Sequence, residues 1–185
     1  ALESAAIVVV QARIGGYEGR TFDESFSLKY GICGDQDLGP GAISAGWRVW
    51  PGIRTILSKV SLCCPSALVV MLSSPVSLLV RAARYSFPSL KIVGCCELPL
   101  ETLQKVSYKF NISRDTVRFE YHGINHFGWF FQLSAGNRDL ILDFRDEPGR
   151  HRDLPSASGV HDHKGIPTRY VRLHTNHREV CSEQQ

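Results

Sequence analysis

The amino-acid sequence predicts an α/β fold built on a parallel β-sheet, followed by a segment of α+β character. Apolar runs rich in β-branched residues alternate three times with stretches of helical periodicity, and the pattern becomes aromatic and alternating after position 116. Successive strand-then-helix units imply right-handed crossovers, which place ligand chemistry at the carboxyl ends of the strands. We therefore expect one domain over residues 1–116 and the start of a second over 117–185.

The three strand-then-helix units follow one another along the chain. The run AAIVVV at 5–10 is typical of a strand buried on both faces of a sheet, and a glycine-rich polar stretch follows it. Apolar residues then recur at helical spacing, and Pro51 predicts a kink or a break within that helix. The elements predicted after the glycine-rich stretch are helix 43–62, strand 67–72, a helix from Pro75 to about Tyr85, strand 90–93 and helix 99–110.

The second part of the chain has a different pattern. Alternating and aromatic residues over 117–144 predict antiparallel strands, and the charged, aperiodic segment near 145–165 predicts a mobile loop. A last helix is expected from Pro167 towards Glu183. Four residues would then share one face of that helix: Tyr170, His174, His177 and Cys181.

Composition excludes several classes of protein. Hydrophobic residues make up 43% and charged residues 21% of the 185 positions, which is the balance of a globular domain. A net charge of +3 with interspersed signs argues against nucleic-acid and membrane partners. The sequence has no long apolar run and no signal-peptide pattern, so a cytoplasmic location is expected. The six cysteines, which include two adjacent pairs, are interpreted as reduced thiols.

The sequence contains no G-x-G-x-x-G turn after a strand. Gly15, Gly16 and Gly19 have the wrong spacing, and no helix is predicted behind them. The chain therefore lacks a recognisable pyrophosphate cradle. If the fold binds a dinucleotide, the chain represents its second half.

Three short segments lie where this architecture would place chemistry: Ser73-Ser74-Pro75, Gly94-Cys95-Cys96-Glu97 and Gly123-Ile124-Asn125-His126. Cysteine and histidine are ligands that suit divalent transition metals. Spacing alone also allows the alternative that Cys96 is a buried thiol and His126 a hydrogen-bonded core histidine.

The run QARIGGYEGRTFDESFSLKYG at 11–31 resembles a stretch of the bacterial 6-phospho-β-glucosidases of glycoside hydrolase family 4. Six further segments resemble motifs of that family in the same order: 34–41, 47–51, 73–75, 94–99, 121–126 and 166–172. The resemblance implies the second half of a Rossmann-like parallel sheet of the lactate/malate dehydrogenase-like superfamily, followed by part of an α+β substrate domain. It also implies a fragment without the glycine-rich nucleotide-binding half and the C-terminal part.

The resemblance assigns roles to individual residues. It implies that Cys96 and His126 bind a divalent metal, usually manganese, and that Tyr170 is the catalytic base. In the implied route NAD⁺ accepts a hydride from C3 of the sugar and Tyr170 removes the proton from C2. Arg13 is the candidate for the substrate phosphate, because a guanidinium binds phosphate oxygens bidentately. Glu97 is a candidate acid, with a surface carboxylate as the alternative.

The sequence departs from the family pattern at two of the implied substrate contacts. Ser74 replaces an asparagine that contacts substrate and cofactor, and Gln36 replaces a glutamate and so carries no charge. Asn125 completes the set of expected substrate contacts. A separate metal site at His161, Asp162 and His163 is disfavoured, because those residues lie in the predicted loop.

Three hypotheses follow. The first is NAD- and Mn²⁺-dependent hydrolysis of a phosphorylated disaccharide or glycoside by a 6-phospho-β-glucosidase, with a homo-oligomer expected. The second is a truncated or degenerate, non-catalytic remnant of that family that acts as an oligomerising domain. The third is a lactate or malate dehydrogenase relative, suggested by Ser74-Pro75-Val76, although the histidine context of those enzymes is missing.

Overall fold

The computed structural model describes residues 2–146 and 165–184. The chain divides into two compact units, one formed by Ala1–Cys96 with Arg178–Gln185 and the other by Glu97–His177. Among the described residues, no helix combines the length and the apolar character needed to cross a bilayer.

The first unit contains a three-stranded parallel sheet. Its strands are β1 (Ile7–Val10), β2 (Leu68–Met71) and β3 (Lys91–Gly94), in the order β1-β2-β3. In the register of the sheet Val8 lies opposite Val69, which lies opposite Ile92. The sheet confirms the predicted parallel α/β architecture.

Two helices of the first unit, α2 (Gly39–Cys63) and α3 (Val76–Ser86), cover one face of this sheet. Helix α1 (Gly16–Ser25) and a 3₁₀ helix (Phe26–Tyr30) pack against α2. Ile53 and Leu57 of α2 pack with Val69 of β2 and Leu79 of α3 in a fully buried core. Each such side chain contributes about 1.5–3 kcal/mol through burial, so this core holds the sheet edge in place.

The other face of the sheet is exposed in the described part of the chain. Ile7 and Val9 are 61% and 57% exposed, whereas the neighbouring Val10 is buried. The described residues therefore cover one face of β1, and burial of its second face stays a prediction. A continuous β-branched run specifies a strand, but what packs on each face is decided by the rest of the fold.

The glycine-rich stretch is more regular than predicted. Gly15 takes a left-handed conformation, with φ of 90°, and α1 starts at the next residue, so the expectation that no helix follows these glycines was wrong. Helix α2 runs through Pro51 without the break that this proline allowed. Pro51 lies on the exposed side of α2, where water can satisfy the backbone carbonyl that loses its partner.

The second unit is an antiparallel sheet packed against helices. Its elements are α4 (Leu98–Phe110), a 3₁₀ helix (Arg114–Thr116), β4 (Val117–Ile124), β5 (Phe127–Ala135), β6 (Arg138–Asp139), α5 (Leu140–Asp146), β7 (Ile166–Pro167), a 3₁₀ helix (Arg169–Val171) and α6 (Arg172–Thr175). Strand β5 pairs with β4, β6 and β7. Its core joins Leu103 of α4, Phe130 of β5, Phe144 of α5 and Ile166 of β7.

Residues 140–144 form the start of α5 and not the predicted strand. The carboxylate of Asp139 accepts the backbone N–H groups of Ile141 and Leu142, at 2.9 and 3.2 Å, and so caps the helix. Arg145 and Asp146 complete α5. The rest of the predicted loop, with the His161-Asp162-His163 segment, lies outside the described residues.

The single C-terminal helix predicted from Pro167 is also wrong. Residues 166–167 pair with β5 as a strand, and Asn176 separates α6 from a further helix, α7 (His177–Gln184). The four residues expected on one helical face are therefore spread over three elements. Pairing with β5 outweighed the helical periodicity of this segment.

Candidate functional site

Polar residues follow all three parallel strands at one edge of the sheet. Ser73, after β2, accepts a hydrogen bond from Ala12 N–H at 2.8 Å and donates one to the Val10 carbonyl at 3.3 Å. These bonds tie the ends of β1 and β2 together. Because the strands are parallel, Arg13, Ser74 and Cys96 lie just beyond the same edge, and Cys96 is half-buried.

A buried carboxylate positions Ser74. Asp37 is 5% exposed; its Oδ2 accepts the Ser74 hydroxyl at 2.9 Å and its Oδ1 accepts the Val76 N–H at 3.0 Å. Val76 is the first residue of α3, so the negative charge lies at the positive end of the helix dipole. Asp35 accepts the Asp37 N–H at 2.7 Å, which fixes the turn that presents this carboxylate.

The predicted phosphate-binding arginine lies beside another predicted site residue. The Arg13 guanidinium donates to Oε1 of Gln36 at 3.1 Å and lies 5.2 Å from the centre of the Tyr17 ring. Arg13 is exposed and Gln36 is half-buried. The amide of Gln36 therefore orients a cation that faces solvent.

A buried ion pair supports the loop that carries Arg13. Asp23 on α1 is 1% exposed, accepts the Ser44 hydroxyl at 2.8 Å and pairs with the Arg48 guanidinium. Arg48 also donates to the Gly19 carbonyl at 3.3 Å. These contacts hold α1 against α2 and leave little freedom at Gly15 and Gly19, where a side chain would meet Arg48.

In the second unit the structure brings His126 and Tyr170 together. Asn125 and His126 form the two-residue turn between β4 and β5, and His126 is 4% exposed with a φ of 61°. The imidazole stacks on the phenol ring of Tyr170, with centroids 4.1 Å apart and planes inclined by 8°. The N–H of Thr168 donates to the Gly128 carbonyl at 2.9 Å, and this bond continues the pairing that holds Tyr170 beside the turn.

Arg169 supplies a positive charge next to the phenol. Its guanidinium donates to the Tyr170 oxygen at 3.2 Å and lies 4.8 Å from the centre of the ring. The same group donates to Glu101 Oε1 at 3.3 Å. Glu101 thereby keeps the guanidinium in place beside the phenolic oxygen.

Two further predicted residues of the second unit, Asn125 and Glu97, differ in their surroundings. Both polar atoms of the Asn125 amide are buried and have no hydrogen-bond partner within residues 2–146 and 165–184. Buried amides are normally satisfied, so these atoms are suited to a ligand. Glu97 is exposed, immediately precedes α4 and makes no side-chain capping bond there.

The structure thus brings Arg13 to Gln36 within the first unit and His126 to Tyr170 within the second. Sequence reasoning missed Asp37 and Arg169. An aspartate two residues before the glycine that opens α2 was a weak signal, because it resembles an ordinary turn residue. Arg169 had a stronger signal, because it directly precedes the candidate base.

Comparison with known proteins decides the family. A family model described as "Family 4 glycosyl hydrolase" matches residues 1–112. The chain belongs to this family. It is 31% identical over 153 residues to a maltose-6'-phosphate glucosidase of Bacillus subtilis (strain 168), which covers 81% of the chain and 34% of that protein. It is 34% identical over 164 residues to a probable 6-phospho-beta-glucosidase of the same organism, covering 86% and 37%.

The family 4 fold is also found among solved structures. The 6-phospho-beta glucosidase of Thermotoga maritima, solved with manganese, NAD⁺ and glucose-6-phosphate, matches with a TM-score of 0.80 at 22% identity over 99% of this chain and 45% of that one. This similarity confirms the Rossmann-like α/β fold class. The chain spans about a third of the length of the two family 4 relatives from Bacillus.

Proposed function

We propose that this chain carries metal- and substrate-binding residues of a family 4 glycosidase that hydrolyses 6-phospho-glycosides. The observation that carries the proposal is the stack of His126 on Tyr170, because it joins a candidate metal ligand to a candidate base across 43 intervening positions of sequence. We further propose 6-phospho-β-glucosides as the preferred substrate class. The longer of the two Bacillus matches is to a relative named for the β-anomer.

The family implies two cofactors, a divalent metal and NAD, and the residues of this chain fit the metal better than they fit NAD. Divalent cations are held by donors of the kinds found here: a thiol at Cys96, an imidazole at His126 and the buried amide of Asn125, which has no partner among the described residues. We propose that Cys96 and His126 are the protein ligands. For NAD, Ser74 at the sheet edge is the proposed contact, and the sequence itself contains no G-x-G-x-x-G turn for the pyrophosphate.

Each of the two predicted domains has its own part in this proposal. Residues 1–116 serve as the partial NAD-binding region and residues 117–185 as the start of the substrate domain. When bound, NAD⁺ supplies a hydride acceptor and Mn²⁺ supplies a Lewis acid for sugar hydroxyls.

The side chains of the chain then handle charge and protons. Tyr170, as a phenolate, removes the proton from C2 of the sugar, and the guanidinium of Arg169 stabilises negative charge on the phenolic oxygen by donating to it. Arg13, oriented by Gln36, binds the phosphate through its remaining N–H groups. Glu97, exposed at the start of α4, protonates the oxygen of the leaving group.

The test of the base uses the full chain with NAD⁺, Mn²⁺ and p-nitrophenyl 6-phospho-β-glucoside in D₂O. We expect release of nitrophenol and deuterium at C2 of the sugar product. Tyr170→Phe should lower both by about 10²- to 10⁴-fold. Tyr108→Phe, which changes a tyrosine exposed on α4, should alter neither. Equal exchange in both variants would rule out Tyr170 as the base, and the α-anomer assayed in parallel tests the substrate preference.

Metal binding can be measured independently of turnover. Titration with Mn²⁺ should give an affinity at least about 10-fold weaker in Cys96→Ser and in His126→Asn than in the parent chain. Cys95→Ser is the matched control, because Cys95 is the exposed neighbour of Cys96. Equal affinity in all variants would contradict the proposed ligands.

The non-catalytic remnant is the second candidate function. Ser74, Gln36 and the missing glycine-rich turn favour it. Manganese binding that depends on Cys96, without any turnover, would support the remnant over the enzyme. A homo-oligomer and a cytoplasmic location also stay predictions, and light scattering tests the first.

A further inference from the structure

Two buried cysteines far apart in the sequence meet within the first unit. Cys33 lies in the segment before α2 and Cys181 lies on α7, 148 positions further along the chain, and their sulfur atoms are 3.1 Å apart. Both are reduced, and each is less than a tenth exposed. The chemistry proposed for sugar cleavage uses neither residue.

A second contact joins the same two segments one helical turn further along α7. The Gly34 N–H donates to Oε1 of Gln184 at 2.9 Å, and Nε2 of Gln184 donates to the Gly34 carbonyl at 3.1 Å. The side-chain amide thus satisfies both backbone groups of Gly34. Because Cys181 and Gln184 are three residues apart, they lie on one face of the helix, and the two thiols are held in contact by a specific fit.

We propose that Cys33 and Cys181 form a reversible covalent cross-link that fastens helix α7 to the segment preceding α2. A disulfide bond has sulfur atoms about 2.05 Å apart, so the two atoms need to approach by only about 1 Å. A change of that size lies within the reach of small χ1 adjustments at both residues. A disulfide bond within either adjacent pair, Cys63-Cys64 or Cys95-Cys96, would join neighbours in the sequence and constrain no tertiary contact.

The surroundings of Cys33 determine which oxidant can act. Burial, and then the hydrogen bond with Cys181, raise the pKa of Cys33 to about 12, so this sulfur stays a thiol at neutral pH. Thiolates are the reactive form of cysteine, which makes air oxidation slow. A small oxidant such as hydrogen peroxide is required, because bulky disulfides do not reach a buried pair.

The reaction balances with one molecule of peroxide. One thiol loses its proton as its sulfur attacks a peroxide oxygen; the O–O bond breaks, the sulfur becomes a sulfenic acid, and the displaced hydroxide takes up that proton to form water. The second sulfur then attacks the sulfenic sulfur, forms the S–S bond and expels a second water. Two thiols are oxidised and hydrogen peroxide is reduced to two waters.

The cross-link would act on the segment that holds the sheet-edge residues. Cys33 is three residues before Gln36 and four before Asp37, which contact Arg13 and Ser74. Fastening Cys33 to α7 limits the motion of this segment. Reduction leaves α7 held by its non-covalent contacts with Gly34, so the proposal assigns helix α7 a redox-dependent covalent attachment.

The test treats the full chain with a small excess of hydrogen peroxide and maps the products by mass spectrometry without reduction. We expect an intact mass lower by about 2 Da and a peptide that links Cys33 to Cys181. The cross-linked chain should melt on the order of 5–10 °C higher, because a long loop is closed in the unfolded chain. Dithiothreitol should reverse both changes.

Cys181→Ser keeps the size of the side chain and should lose the linked peptide and the shift in Tm. Cys63→Ser, at an exposed cysteine on α2, should retain both. Over-oxidation of Cys33 or Cys181 to sulfinic acid without a linked peptide would overturn the proposal. A stable mass increase from a bound zinc ion, with no linked peptide, would also overturn it.

Discussion

Replacing Asp37 tests whether one carboxylate positions the predicted cofactor contact. Asp37→Ala removes the acceptor of the Val76 N–H and of the Ser74 hydroxyl. Val76 is buried, so leaving its N–H without a hydrogen-bond partner costs about 1–3 kcal/mol of stability. Loss of the charge at the start of α3 costs a further amount of about 0.3–1 kcal/mol. Ser74 is half-buried and can bond to water, so it adds little. We expect the free energy of unfolding to fall by about 1.3–4 kcal/mol.

Asp37→Asn separates the hydrogen bond from the charge. The asparagine Oδ1 still accepts the Val76 N–H, so we expect a loss of only about 0.5–1 kcal/mol. Urea denaturation followed by tryptophan fluorescence measures both variants, because Trp47 and Trp50 lie on α2 in the same unit. Asp115→Ala, at an exposed aspartate, is the control and should change stability by less than about 0.5 kcal/mol. Equal losses for the Ala and Asn variants would refute this account of Asp37.

Three further predictions concern the same unit. Arg48→Met should lower the free energy of unfolding by about 3 kcal/mol, because it leaves the Asp23 carboxylate buried without its cation. Adding Asp23→Asn should recover part of that loss in urea denaturation, and no recovery would contradict the argument from the ion pair. Gly34→Ala should lower Tm by several degrees, because its Cβ would collide with the Glu24 carbonyl, and an unchanged Tm would show that the segment can move aside. The pKa of Cys33 is about 12 in the folded chain and 9.0 ordinarily. Its contribution to the free energy of unfolding is therefore fully present below pH 9, and stability declines by up to about 1.4 kcal/mol per pH unit towards pH 12. A Cys33→Ala variant with the same slope in pH-dependent denaturation would contradict this.

Sequence patterns predicted the elements whose local and tertiary preferences agree. The apolar runs before Ser73 and Cys95 became parallel strands, and Pro75 opens α3 as expected. The strand predicted over residues 140–144 was wrong, because a short apolar run fits either a strand or a helix. The capping bond from Asp139 and the burial of Phe144 decided for the helix.

The candidate site was predictable to a similar extent. The resemblance singled out His126 and Tyr170, and the structure brings their rings into contact. Asp37 was not predicted, because its importance depends on a contact with Ser74, which lies 37 positions away. Burial of a carboxylate by a distant partner leaves no local pattern in the sequence. The roles proposed for these residues stay predictions.

The turn that carries His126 has a consequence for engineering. Its imidazole is aimed by the ladder between β4 and β5, and that ladder contains an irregularity between Glu120 and Tyr121. The pairing skips Phe131 of β5, and deleting this residue would reverse which side chains on one side of it face the core. A change several residues from the turn would then misdirect the His126 ring, so directed evolution of this hairpin should vary side chains and keep its length constant.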